Sequence, residues 1–306
     1  MNFGLVLVGL ALLAFPGLSA ARSRRCPAHE WARVTAWALG LGATSVVAGL
    51  VMTSIPTLLH SVQLEGLLAV CDPVVHSVML GGPLVGWVAV ALTVAVAAAS
   101  VAALLSSRHA VRRARIEPYL GQHIHCDDHE LVVLPTPALV AFSVPGSPPQ
   151  VVVSEGLVDE LDPQRLDAVI GHELAHHRLG HRRYLVVVGI VERTMGFLPF
   201  VRRSTEMVRE SLELWADDVA VESSRATREA LHAALVAVAS VGALRADVAT
   251  AVQLRTRRLT EANRCSHVAR RGLTYLPAGA LACCAAALVA GWTLTSHQMM
   301  ALGGYC

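Results

Sequence analysis

The chain has 306 residues, 54% of them hydrophobic and only 16% charged, with a mean hydropathy of +0.52. That balance is too apolar for a water-soluble domain of this length. The formal charge of +2, carried by arginines without a single lysine, gives no reason to invoke direct nucleic-acid binding; a lipid bilayer and a protein are the partners to expect.

In chain order, uncharged runs near residues 3–21, 34–57, 83–105 and 273–296 are each long enough to span a bilayer, which takes ~20 residues. The first is preceded only by Met1-Asn2 and followed by Arg22, Arg24 and Arg25, a charge order that retains it as an anchor rather than a cleaved leader. Arg22, Arg24, Arg25 and Arg33 crowd the first loop, whereas the loop at 58–82 has no basic residue apart from two histidines. Arg108, Arg112, Arg113 and Arg115 open the large polar segment, and Arg264, Arg270 and Arg271 close it. By the positive-inside rule this predicts a multi-pass protein of the cell membrane. The polar segment is then cytoplasmic, and the 58–82 loop and both termini are external. The expected division is a three-helix membrane region at 1–106, a cytoplasmic domain at 107–272, and a fourth membrane helix with a short external tail at 273–306.

The domain reads as α+β. Gln122-His-Ile-His-Cys-Asp-Asp-His129 reads as a solvated loop entering short strands across 129–154. The run Ala138–Val144 is expected to border the site as an edge strand, which could hold an extended peptide by strand addition. Asp162-Pro163 is a helix start signal, with Asp at the N-cap and Pro in the first turn. A helix is predicted over 163–182, an apolar helix over 184–196, a further helix over 205–222 capped by Ser204 or Thr205, and a basic helical region over 226–271.

Residues 172–176 read His-Glu-Leu-Ala-His. Four residues apart on a helix, His172 and His176 sit about 40° round the axis and about 6 Å along it, so both imidazoles can reach one zinc ion. Glu173 is offset by about 100°, beside an open coordination position, where it can act as general base. His177 and His181 do not share that face and read as helix-surface or supporting groups. A catalytic zinc needs a third protein ligand. The best source is Ser204–Asp217, where Glu206, Glu210, Glu213 and Asp217 form one acidic stripe on a helix too apolar to lie free on the surface. The seven cysteines contain no Cys-x-x-Cys pair, so no zinc ribbon is expected. Cys71 and Cys306 share the predicted external side and are free to pair.

Glu213-Leu-Trp-Ala-Asp217 following His172-Glu-Leu-Ala-His176 resembles the paired motif of membrane-embedded gluzincin peptidases, the BlaR/MecR-type antirepressor metallopeptidases and the related HtpX-type proteases. The stretches Pro137–Gly146 and Val151–Leu157 resemble the strands before the zinc helix in these families. Phe197-Leu-Pro-Phe200 resembles the aromatic-proline turn of the BlaR/MecR type. The resemblance implies a gluzincin zinc-protease domain inserted between membrane helices 3 and 4, and one Zn2+ per chain on His172, His176 and Glu213. It also implies that Asp217 orients a ligand or the helix pair from behind the ligands. The expected reaction is peptide hydrolysis with Glu173 as base; His232 and several arginines are candidates for stabilising the oxyanion. Three functions follow: a signalling protease that cleaves a DNA-binding repressor or itself, a membrane-protein quality-control protease, and a receptor whose catalysis is incidental. The sequence ends ten residues after the fourth span, so the external penicillin-binding sensor of the best-known BlaR/MecR members is expected to be absent, and β-lactam sensing with it.

Overall fold

The structure is a computed structural model. It describes residues 2–19, 27–61, 82–116, 121–144, 146–223 and 228–241, together with positions 253, 255, 256 and 259. Three apolar helices come first: α1 (Asn2–Leu18), α2 (Ala28–Ser61) and α3 (Gly82–Ile116). Within them Ala28–Ile55 and Leu84–His109 are long and apolar enough to cross a membrane, whereas the apolar part of α1, Gly4–Leu18, is shorter. The fourth predicted span at 273–296, the closing arginine cluster and both Cys71 and Cys306 lie outside the described residues. Gly9 and Gly42 let α1 and α2 cross closely: a Cβ on Gly9 would stand 2.7 Å from the Gly42 carbonyl oxygen. Small residues at such a crossing allow backbone approach that larger ones forbid. Along α3, Leu84, Trp87, Val94 and Val101 are each at least half exposed.

Four strands follow: β1 (Gln122–His125), β2 (Glu130–Leu134), β3 (Ala141–Val144) and β4 (Gln150–Ser154). The sheet order is β1-β2-β4-β3, with β2 and β4 parallel and the other two pairs antiparallel. Central β4 has Val151, Val152 and Val153 fully buried, the near-continuous apolar run of a strand covered on both faces. The loop expected at 122–129 is in part strand β1, paired with β2. Its exposed His123 and His125 lie over Glu130 at 2.8 and 4.0 Å.

Helices α4 (Glu155–Glu160), α5 (Pro163–Arg178), α6 (His181–Met195), α7 (Pro199–Ser223) and α8 (Arg228–Val241) complete the described fold. Asp162 caps α5 by accepting the Arg165 N–H, with Pro163 in the first turn, as its sequence requires. The helix expected to run to 182 stops at Arg178, because Gly180 takes φ +61° and turns the chain into α6. The left-handed region is cheap only without a Cβ. Ser204 and Thr205 do not cap α7; the helix begins at Pro199, and Ser204 is buried inside it, accepting the Gly17 N–H of α1 at 3.0 Å. The aromatic-proline turn is thus the helix start.

Two cores position the site. In one, Leu13, Ala36, Leu39 and Val46 of the apolar helices pack with Val188, Val191, Leu212 and Trp215 of α6 and α7. In the other, Val151 and Val153 of the sheet pack with Leu157, Leu174 of α5 and Ala234 of α8. Helix α7 therefore touches the apolar helices on one side and α5 on the other.

Candidate metal centre

Helix pitch alone sets the first two groups. Leu174 packs toward the sheet core, which turns the opposite side of α5, with His172 and His176, toward α7. Their Nε2 atoms are 3.1 Å apart. The Glu213 carboxylate completes the group, with Oε2 3.3 Å from His172 Nε2 and Oε1 3.4 Å from His176 Nε2. Among the described residues these three form the one group able to hold a metal ion, their ligand atoms all within 4.8 Å of one another. Tetrahedral zinc with bonds of about 2.0–2.1 Å needs ligand–ligand edges of about 3.3–3.4 Å, so the donor set fits in type and in spacing.

Both rings are held from behind. Asp217, buried one turn beyond Glu213, accepts from His172 Nδ1 at 2.9 Å. Burial works against the imidazolium of His172, but the hydrogen bonds to Asp217 and Glu213 outweigh it and raise its pKa to about 9. Burial also opposes ionisation of Glu213; the two imidazoles overcome it and hold that carboxyl well below its usual range. His176 Nδ1 meets His181 Nδ1 at 2.9 Å. Burial, then the neighbouring His176, push His181 down to about 3, so it is neutral and has one ring nitrogen able to accept. For His176 to turn an Nε2 lone pair to the shared point, its Nδ1–H must be the donor to His181 Nδ1. The Trp215 ring lies 5.0 Å from His181, centroid to centroid.

Arg255 was visible in the sequence only as one arginine in a basic stretch. In the structure its Nε donates to Asp217 Oδ2 at 2.8 Å and its Nη2 to Oδ1 at 2.6 Å. Its Nη1 stands 3.3 Å from Glu213. This fork holds Asp217 ionised against its burial, together with the His172 hydrogen bond. No motif announces Arg255; only its placement across the cleft does. His232 is not among the residues lining that cleft.

The cleft itself has a volume of about 740 Å3. Glu173, one residue from His172, lines it, as do His177 and Ala141–Ser143 of β3. Among the described residues β3 is an edge of the sheet, and it lines the same cleft as the histidines, as the sequence led us to expect. Leu231, Leu235 and Val238 of α8 give the opposite wall an apolar lining. Of the acidic stripe, Glu213 and Asp217 reach the site. Glu206 is exposed and near Arg202, while Glu210 is half-buried with its pKa raised by that burial and by Glu206.

A mixed sheet followed by two helices that converge on two histidines and a glutamate defines a metallopeptidase domain. Residues 106–267, more than half of the chain, match peptidase family M48. The chain belongs to that family. No curated protein and no solved structure matches it.

Proposed function

We propose that this protein is an integral-membrane zinc endopeptidase whose domain at 107–272 works on the cytoplasmic side of the cell membrane, and that it acts in regulated signalling by cleaving a transcriptional repressor, itself, or both. What most supports it is the convergence of His172, His176 and Glu213 in the same cleft as Glu173 and the edge strand β3. The two long apolar helices and the arginine asymmetry of the loops support the membrane placement.

His172, His176 and Glu213 would hold the zinc, and Asp217 and His181 keep the two imidazoles in the ligating tautomer. Zinc bound there supplies Lewis acidity for the substrate carbonyl and acidity for the attacking water. Strand β3 pairs with the substrate backbone and lays the scissile bond across the histidines. Glu173 takes one proton from the attacking water as its oxygen adds to the carbonyl carbon, then delivers it to the amine nitrogen as the C–N bond breaks. Among the described residues Arg255, within reach of Glu213 and held by Asp217, is a cation in the cleft available to the developing oxyanion.

Glu173→Gln keeps the shape of the side chain and removes the base. Peptide hydrolysis should fall by about 10²–10⁴-fold with bound zinc unchanged, and the variant should retain uncleaved substrate on β3. A DNA-binding repressor, or the chain itself, captured on this variant in native membranes supports signalling. A mixture of unrelated membrane proteins would replace it with quality control, and undiminished signalling by the variant would leave a receptor with incidental catalysis.

A further inference from the structure

A second cavity, of about 730 Å3, lies between α3 and α6. One turn of α3 (Ala103, Ser106, Ser107) forms one wall, and Arg182, Ile190 and Arg193 lie on the α6 side. Its depth along α3 is informative. The exposed apolar surface of that helix continues through Leu104 and Leu105, then gives way to Ser106, Ser107 and Arg108. If α3 crosses a bilayer, this is where it leaves the hydrocarbon for the headgroups.

The charges in the cavity do not cancel. Arg209 spends its guanidinium on Glu192 at 2.6 Å. Arg182 and Arg193 are exposed and make no ion pair among the described residues. Arg182 and Arg193 are eleven residues apart on α6, about 16 Å along its axis, so they flank the cavity from its two ends. Each offers a planar guanidinium fork to phosphate oxygens beside an apolar floor that continues along α3. We propose that this cavity binds the phosphate of an anionic phospholipid headgroup. The inference rests on the membrane placement given above.

Arg182 and Leu185 line this cavity and the catalytic cleft alike, and Arg182 directly follows His181. A headgroup that engages Arg182 therefore fixes one wall of the cleft, and cleavage should depend on the lipid.

The test uses the full-length protein, reconstituted in phosphatidylcholine vesicles with or without phosphatidylglycerol, with retained lipid counted by native mass spectrometry. Each arginine near a charged headgroup is worth about fivefold in affinity, so two give a preference of roughly twenty-five-fold for phosphatidylglycerol. Arg182→Gln/Arg193→Gln should abolish that preference, whereas Arg165→Gln/Arg228→Gln, an equal charge loss away from both cavities, should keep it. Equal retention of the two lipids, or equal loss in both double variants, overturns the proposal. So does displacement of the lipid by millimolar inorganic phosphate, which would mean a soluble-anion site, or by an acidic peptide, which would mean a peptide groove. Failure to insert into vesicles of either composition would instead remove the membrane placement on which the proposal stands.

Discussion

In the proposed centre His172 must serve a proton and a metal with the same ring. With Asp217 at 2.9 Å and Glu213 at 3.3 Å, its imidazolium persists up to about pH 9. In the zinc-free protein that raised pKa contributes stability below about pH 6.5, which is lost as the pH climbs through about 9. Zinc reverses the trend, because it must displace the proton. Apparent zinc affinity should therefore rise with pH up to about 9, by as much as about tenfold per unit. Competition with a chelating indicator across that range measures the slope, and a flat profile would mean that His172 is already deprotonated. Glu213 stays ionised throughout and adds nothing to the slope. The histidine pair and Glu173 were legible from five residues, because helical pitch alone brings them together. Arg255 was not legible, since its role depends on a chain return to the cleft that local spacing does not encode.

At the scale of elements, the sheet and the two ligand-bearing helices follow from local signals, and the misplaced boundaries have local causes. A helix read to 182 ends at 178 because one left-handed glycine, Gly180, intervenes. Ser204 has the chemistry of an N-cap yet lies inside α7, where its hydroxyl serves α1 instead, a use only tertiary packing reveals. Ser154 shows what a cap can do for the cleft. Its hydroxyl accepts the Leu157 N–H that opens α4 at 3.2 Å and the Val140 N–H just before β3 at 3.0 Å. Ser154→Ala strands two donors and should cost about 1–2 kcal/mol. If β3 is the strand that pairs with substrate, as proposed, KM should rise more than kcat falls. Thermal unfolding with peptide kinetics would show this, and an unchanged Tm would mean that neither bond matters.

For the whole molecule, the continuity of packing from the apolar helices into α6 and α7 is the main consequence. Trp215, two residues after Glu213, sits in the same core as Leu13 and Leu39, and Arg33 at the start of α2 stacks over its ring at 5.0 Å. The ligand helix is therefore braced by the apolar helices themselves. If those helices cross the membrane as the arginines direct, a reporter fused after Ser107 should lie in the cytoplasm, and one near Leu67 or at Cys306 outside. Finding the Ser107 fusion outside would remove repressor cleavage from consideration. The central claim, a zinc site made by two α5 histidines and one α7 glutamate, is tested most directly by the zinc content of purified variants. The account predicts about one zinc per chain, lost for the most part in His172→Ala, His176→Ala and Glu213→Ala and retained in Glu210→Ala. A Glu213→Ala protein that keeps its zinc, beside a Glu210→Ala protein that loses it, would contradict the account.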